Sequence, residues 1–333
     1  MSNTAARIMW WIGKALLWAF VALLALAVIG AIYQAIATEI ARRTYPPPSQ
    51  LVEVGEHRLH IRCVGQGTPT VILEAANGGM SAHWVRVQQE VAKATRACAY
   101  DRAGLGWSEP GPQPRDARQI TGEVHTLLSG DANIEGPYVL VGHSYGGMYA
   151  RMYAARYPEE VAGVVLVDSS HPEQFTRSPQ GREMYERAKR LTAIAALLSR
   201  FGLIRLFDIF PAPPGLPAQQ RAQVEAYLSS TRHLVATTQE FSATPQTSAQ
   251  VRTAQSPGDK PLAVVSAGEQ SAGWLELQEE LAALSSNSSQ RIVDGATHQS
   301  LLSEKRHAQV TSVAILEVVE AVRSDEPLAP ENP

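Results

Sequence analysis

The eleven residues from Pro137 to Gly147, PYVLVGHSYGG, constrain this chain more than any others. An apolar run from Tyr138 to Val141 ends in Gly142-His143-Ser144-Tyr145-Gly146, and a helical pattern follows at once. The pattern is G-x-S-x-G at a strand-to-helix turn. A serine used as a nucleophile must stand clear of the backbone on a sharp, strained turn. Side chains two residues before and two after would collide there, so both positions are glycine. The same turn aims the Tyr145 N–H, at a helix N-terminus, toward the place where an oxyanion would form. Taken alone the motif is unspecific, and a tight turn with a surface serine matches it as well. Its setting, between a β-rich run and a helix start, carries the weight.

From residue 50 onward, short β-like runs alternate with helical patterns. The runs are Leu51–Val54, Leu59–Val64, Thr70–Ala75, Arg96–Tyr100, Tyr138–Val141, Ala162–Val167, Leu262–Ala267 and Arg291–Val293. Helices are predicted over about 81–93, 116–129, 145–156, 274–285 and 299–323. Such alternation predicts an α/β protein, a mostly parallel sheet with helices on both faces. It stops between 172 and 257, where EMYERAKRLTAIAALLSRFG and AQQRAQVEAYLSSTRHLVATTQEF are helical in pattern and PAPPGLP punctuates them. This stretch is expected to form an all-helical cap over the C-terminal edge of the sheet. No internal repeat is visible.

The N-terminus differs in kind. Ala15 to Tyr33 carries no charge, and Gln34 to Thr38 adds little polarity, so residues 15–38 are expected to form a transmembrane helix. Trp10, Trp11 and Trp18 near one end and Tyr33 near the other suit the membrane interfaces. A core helix would rarely be apolar all round for so long. A signal peptide is the sharper rival, since Ala35-Ile36-Ala37 could be cleaved, but its apolar segment is normally shorter. Arg7, Lys14 and the amino terminus before the span nearly balance Arg42 and Arg43 after it. The short flank, residues 1–14, favours staying inside, which would place the catalytic domain outside the cytoplasm. Residues 39–50, with Pro46-Pro47-Pro48-Ser49, are expected to be a stiff linker, and 324–333 a disordered tail. A net charge of −3 without any basic block excludes a nucleic-acid surface.

Several blocks together resemble the α/β-hydrolase superfamily from about Leu51 to Arg323. VGHSYGG resembles its nucleophile elbow, and YDRAGLGWS, Tyr100 to Ser108, resembles the loop after its fourth strand. VILEAANGG, Val71 to Gly79, stands where the family often has a strand followed by His-Gly, and VVLVDSS and DGATH fit the later strand ends. The resemblance implies an eight-stranded, mostly parallel sheet, a hydrolase core in two parts (51–171 and 258–323) and the cap at 172–257. In that fold the strands bearing Cys63 and Cys98 are neighbours. A disulfide would imply an oxidising compartment; two buried thiols fit the sequence equally well.

The resemblance implies Ser144 as nucleophile. A serine hydroxyl needs a base within hydrogen-bond reach, and the base needs an orienting acid. Of nine histidines, His298 is best placed, after the last strand and late in the family's order of serine, acid, histidine. His307 is expected to be solvated, the His143 side chain to point away from the base of Ser144, and His171 to stand at the cap entrance as a candidate lining residue of the pocket. In many family members the acid follows the seventh strand as G-x-x-D. Here Ala267-Gly268-Glu269-Gln270-Ser271 has serine at that position. Asp168, at the end of the sixth strand, is the better candidate, with Glu269 the alternative. For the oxyanion hole, Tyr145 and Asn77 are the expected donors, with Gly78 next in line. The asparagine is shared with dehalogenases, but those use an aspartate nucleophile. Glu74, Asp101 and Arg102 are expected to be a structural charge cluster, and Trp84 and Trp107 packing residues. No metal-ligand spacing and no G-x-G-x-x-G after a strand is present, so no metal or cofactor is implied.

These residues predict a membrane-anchored serine hydrolase acting on a small-molecule carboxylic ester. The apolar run FGLIRLFDIF, Phe201 to Phe210, suggests hydrophobic esters. The same triad would also serve C–C bond hydrolysis, amide or peptide hydrolysis, or perhydrolysis. A non-catalytic binding protein on this fold is the rival from outside enzymology.

Overall fold

The computed structural model describes residues 3–130, 132 and 134–328, with side chains from Arg7 onward. Eight strands form one sheet: β1 (Gln50–Val54), β2 (His57–Val64), β3 (Thr70–Glu74), β4 (Ala97–Tyr100), β5 (Tyr138–His143), β6 (Val161–Val167), β7 (Leu262–Ala267) and β8 (Ser288–Val293). Their order across the sheet is β1-β2-β4-β3-β5-β6-β7-β8. The pairs β1–β2 and β2–β4 are antiparallel and the rest are parallel. The α/β-hydrolase architecture expected from the sequence is thus the one observed.

The helices begin with α1 (Asn3–Thr44), then α2 (Val85–Val91), α3 (Ala117–Ser129) and α4 (Tyr145–Arg156). Between β6 and β7 lie α5 (Pro179–Ser199), α6 (Leu203–Leu206), α7 (Ala218–Leu228), α8 (Thr231–Ser242) and α9 (Thr244–Arg252). Then come α10 (Ala272–Ala282), α11 (Ser300–Ser303) and α12 (Lys305–Ser324). The helix expected over 299–323 is broken at Glu304, whose extended backbone separates α11 from α12.

Strand periodicity of two divides the core between the two faces. Ile72, Leu140, Val164, Leu166 and Val264 pack with Ile120 and Val124 of α3 and Met148 and Met152 of α4. Their neighbours Leu73, Val141, Val165 and Val265 pack on the other face with Val87 of α2 and Ile315 and Val318 of α12. The buried central strands are apolar runs in which Val, Leu and Ile are the commonest residues, as expected where both sheet faces are covered. Cys63 and Cys98 stand directly opposite in the β2–β4 ladder and are joined by a disulfide.

α1 is one helix long and apolar enough to cross a membrane, and none of its apolar window is buried. The helix runs beyond the expected span of 15–38 at both ends. At its C-terminal end, Glu39 accepts from Arg43 at 2.7 Å, an i,i+4 pair that favours helix beyond the apolar stretch. The first part of the expected linker, 39–44, is helix instead, and the residue after it is docked: the Tyr45 carbonyl accepts from Trp107 Nε1 (2.9 Å) and the Tyr227 hydroxyl (3.0 Å). At the other terminus the expected disordered tail begins as packed chain. Leu328 is buried and its N–H donates to Asn287 Oδ1. Residues 329–333 of that tail lie outside the described residues.

Candidate active site

β5 is buried along its whole length and hands the chain to α4 through the single residue Ser144, at φ 55° and ψ −123°. A non-glycine residue reaches this region only at a cost, and the surroundings supply the restraint. The Ser144 N–H donates to the Val167 carbonyl (3.1 Å), and the Ser144 carbonyl accepts from the Ser170 N–H (2.9 Å). The flanking glycines are required by contact. A Cβ on Gly142 would lie 2.4 Å from the Gly146 carbonyl oxygen, and one on Gly146 would lie 2.4 Å from that of Glu74. The serine therefore stands at the centre of the sheet with the end of β3 close against the turn.

Asp168 follows β6 directly, fully buried, at φ 41°. Its carboxylate accepts four hydrogen bonds. Oδ2 takes His298 Nδ1 (2.5 Å) and Gln270 Nε2 (2.6 Å). Oδ1 takes Trp274 Nε1 (2.9 Å) and the Ala267 N–H (3.1 Å). Burial by itself would raise the Asp168 pKa. The bond from His298, followed by those from Trp274 and Ala267, outweighs it and holds the carboxyl below its ordinary range. With Nδ1–H committed to Asp168, His298 presents the lone pair of Nε2. Ser144 and His298 line one cavity. Among the described residues no hydrogen bond yet joins the Ser144 hydroxyl to His298; such bonds are often long without substrate.

The structure places Asp168, not Glu269, against His298. The Glu269 side chain is exposed, and its N–H donates to the Ala296 carbonyl (3.0 Å). Ser271, at the position where the common family pattern has aspartate, caps α10 by accepting the Trp274 N–H. That helix carries Trp274 to the Asp168 carboxylate. Neither Trp274 nor Gln270 was singled out from sequence. The missing aspartate was the available hint, because it moved the acid to β6 and left the β7 loop free to supply donors.

Three histidines differ from expectation. His143 does not point away from the base: its Nε2–H donates to the His298 carbonyl (2.9 Å), and the two rings are 4.4 Å apart. Burial first, then the neighbouring His298, pushes the His143 pKa down to about 3, so it is neutral. It fixes the His298 backbone. His307 is buried, with Nδ1 2.9 Å from the Ser300 hydroxyl, because it lies on the inner stripe of α12 with Thr311 and Ile315. His171 does not line the cavity; its ring stands 3.6 Å from Glu280.

Asn77 and Gly78 line the cavity beside Tyr145. Their loop is held from beneath by Arg102, whose Nη1 and Nη2 donate to the Ala75 (2.7 Å) and Ala76 (2.8 Å) carbonyls. The same guanidinium pairs with Glu74 (2.6 Å) and with Glu240 of α8 (2.8 Å), all three buried. Burial raises the Glu74 carboxyl to about 7 despite Arg102, since two carboxylates here share one cation. Asn77 Nδ2 donates to Thr237 and Glu240 of the same helix (both 3.3 Å). His233 donates from Nε2 to the Gly78 carbonyl (2.8 Å) and accepts the Gly106 N–H at Nδ1 (3.1 Å). Burial lowers its pKa to about 4, which keeps this donor–acceptor pattern in place. Glu74 and Arg102 thus form a structural cluster, while Asp101 accepts separately from the Ser81 and Trp107 N–H groups and His60. Glu240 and His233 were not anticipated, because no motif marks them within the helical insertion. Trp84 and Trp107 are packing residues, both buried.

The cavity measures about 540 Å³. Ile209, Phe210, Leu228, Leu234 and Leu302 supply much of its wall, and no Lys or Arg is among the described residues lining it. Among the described residues no cluster of three His, Cys, Asp or Glu could hold a metal ion.

Residues 69–305 match the sequence model of the alpha/beta hydrolase fold. The chain belongs to the alpha/beta hydrolase family. It is 32% identical over 217 residues to an uncharacterized protein of Schizosaccharomyces pombe, which covers 63% of this chain and 39% of that one. To an uncharacterized vacuolar membrane protein of Saccharomyces cerevisiae it is 30% identical over 139 residues, 37% of this chain and 22% of the other. To a 2-hydroxymuconate semialdehyde hydrolase of Pseudomonas sp. it is 35% identical over 118 residues, 34% and 40% of the two chains. The chain spans about two fifths or less of the length of these curated relatives. Among solved structures, a thermophilic esterase from Thermogutta terrifontis shares the fold at TM-score 0.63 and 20% identity, covering 82% of this chain and 99% of that one. The epoxide hydrolase CorEH shares it at TM-score 0.65 and 19% identity, covering 80% and 96%.

Proposed function

We propose that this alpha/beta hydrolase is a membrane-anchored serine hydrolase that cleaves carboxylic esters with hydrophobic acyl groups. The observation that carries the reading is the His298 imidazole held by buried Asp168 at 2.5 Å, beside a cavity that also holds Ser144 on its strained turn. Ser144 Oγ attacks the ester carbonyl as His298 Nε2 takes its proton. The tetrahedral oxyanion is met by the N–H groups of Tyr145 and Asn77. Collapse expels the alcohol, protonated by His298, and leaves an acyl group on Ser144. Water, activated by the same imidazole, then releases the acid. Asp168 remains ionised throughout and fixes the His298 tautomer.

The apolar wall of the cavity supports an apolar acyl chain. A second reading, C–C bond hydrolysis on the same residues, is favoured by the likeness to the Pseudomonas semialdehyde hydrolase. The absence of Lys and Arg from the described lining argues against the anionic substrate named there. α1 supports a single-pass anchor, and the Cys63–Cys98 disulfide supports a catalytic domain in an oxidising compartment outside the cytoplasm.

A fluorophosphonate probe on the purified full-length protein tests the chemistry. Labelling should vanish in Ser144→Ala and fall sharply in His298→Ala. A folded wild type that takes no label would sink the serine-hydrolase reading. A series of p-nitrophenyl esters tests the substrate class, and activity that peaks at acetate and declines with each added carbon would remove the hydrophobic preference.

A further inference from the structure

The insertion carries an apolar face that no described part of the protein covers. On the C-terminal half of α5, Leu191, Ile194 and Leu197 are exposed. The chain that follows adds Leu206 (62% exposed), Phe207 (68%), Ile209 (47%) and Phe210 (40%). Single exposed apolar residues are ordinary, but seven within the twenty residues from Leu191 to Phe210, broken by the exposed Asp208, mark a surface made to be covered. Arg187, Arg190 and Arg200 are exposed along α5 and its end, with Glu183 and Glu186 one turn nearer its start.

The position of this face relative to α1 says what covers it. A Cβ on Gly30 would lie 2.3 Å from the Phe201 carbonyl oxygen, and one on Gly202 would lie 2.6 Å from the Tyr33 ring. Gln34 donates to the Ser229 carbonyl (3.0 Å) and accepts from Arg205 (3.4 Å). The turn from α5 to α6 is therefore seated against Gly30–Gln34, where the strongly apolar stretch of α1 meets its first polar residue after Lys14. At 1.5 Å per residue the 42 residues of α1 extend about 63 Å, roughly twice a hydrocarbon core of about 30 Å. A bilayer that takes in Ala15–Tyr33 meets the α5–α6 turn at its surface and leaves the rest of α1 outside.

We propose that this face is seated in the interface of a phospholipid bilayer, and that the cavity draws its ester from the membrane through a mouth at Ile209 and Phe210. Those two residues are exposed on the patch and also line the cavity that holds Ser144 and His298. The arginines beside the patch fit anionic headgroups, as on interfacial helices. The substrate source rests on the ester-hydrolase reading above; the seating of the face does not.

The test uses the full-length protein in nanodiscs of phosphatidylcholine and phosphatidylglycerol. With both native cysteines in a disulfide, Phe207→Cys or Ile194→Cys gives one thiol for a nitroxide label. Labels at 207 and 194 should collide more with oxygen than with a water-soluble nickel chelate, and a label at Val313→Cys, exposed on the outer face of α12, should show the reverse. A label at 207 as accessible to nickel as that at 313 overturns the seating. So does dipolar broadening between labels that disappears on dilution with unlabelled protein, which would assign the face to a second copy. The variant Leu206→Glu/Phe207→Glu alters neither a cavity-lining nor a triad residue. It should lose at least tenfold in hydrolysis of a long-chain ester embedded in the disc and keep its rate on p-nitrophenyl butyrate. Equal loss on both esters, or on neither, overturns the membrane route. A lipid-exposed label on a wild type that hydrolyses neither ester would refute the hydrolase reading while the seating stands.

Discussion

Asp168→Asn separates the orientation of His298 from everything else in the site. The native carboxylate is surrounded by donors alone: His298 Nδ1 and Gln270 Nε2 on one oxygen, Trp274 Nε1 and the Ala267 N–H on the other. An asparagine offers one oxygen and one NH2. Trp274 and the Ala267 backbone can only donate, so the oxygen stays with them and the NH2 turns toward His298 and Gln270. Gln270 can rotate its amide to accept. His298 can accommodate the NH2 only by moving its proton from Nδ1 to Nε2, and then it can no longer take the proton of Ser144. In Ser–His–acid sites the wrong tautomer costs about 10⁴ in kcat, about 5 kcal/mol at 1.36 kcal/mol per tenfold. Stability should change far less. A charged hydrogen bond of about 1.5–3 kcal/mol is lost, but an ionised group is no longer buried. The assay is kcat on p-nitrophenyl butyrate, with thermal unfolding of the same samples and Glu269→Gln in parallel. A folded Asp168→Asn that keeps a tenth of wild-type kcat, or a Glu269→Gln that alone abolishes turnover, would refute the assignment.

Glu74→Gln reads the buried charge cluster through pH. Glu74 titrates near 7 in the folded protein against an ordinary 4.5, so between those values the folded state holds a proton that the unfolded state has released. Its contribution is complete below about pH 4.5 and declines as pH rises to 7, on the order of 3 kcal/mol in all. Glutamine mimics the protonated form, so the variant should match wild type near pH 5 and exceed it at pH 8 in thermal unfolding; parallel curves would be the wrong result. Gly146→Ala puts a methyl 2.4 Å from the Glu74 carbonyl oxygen and should cost about 1–3 kcal/mol or more and weaken probe labelling. Gly273→Ala on α10, with nothing within 4 Å, should be neutral or gain up to about 1 kcal/mol. Equal stability changes in the two would discredit the close-approach account of the turn.

The parts of the site legible in sequence are those set by local geometry or by chain order. Gly142-His143-Ser144-Tyr145-Gly146 is a turn whose sterics involve neighbours in sequence, and Asp168 and His298 fall at strand ends that hydropathy alone marks. What was missed depends on packing between distant segments. Trp274 reaches Asp168 across 106 residues, and Glu240 reaches Arg102 across 138. No local pattern encodes either pairing. The direction of His143 is likewise a packing result, set by the His298 carbonyl and a Trp84 ring 6.4 Å away. His307 is a different case. Its i, i+4, i+8 spacing with Thr311 and Ile315 already placed it on the inner face of α12. For α1, hydropathy marks the apolar stretch but not the helix ends, which Glu39 and Arg43 extend through side-chain pairing.

The contacts from α8 have a consequence for how this fold can be altered. In a hydrolase whose insertion merely rests on the sheet, one insertion can be exchanged for another and the catalytic base plate is untouched. Here Glu240 pairs with Arg102, His233 holds the Gly78 carbonyl and Leu234 lines the cavity, so the cavity wall and the proposed oxyanion loop share the same helix. A graft lacking those two side chains would leave the buried Arg102 with Glu74 as its one carboxylate and with its Nε unpaired, and would loosen the loop together with the pocket. Specificity in this protein can therefore drift by single substitutions along the cavity wall more readily than by wholesale exchange of its roof.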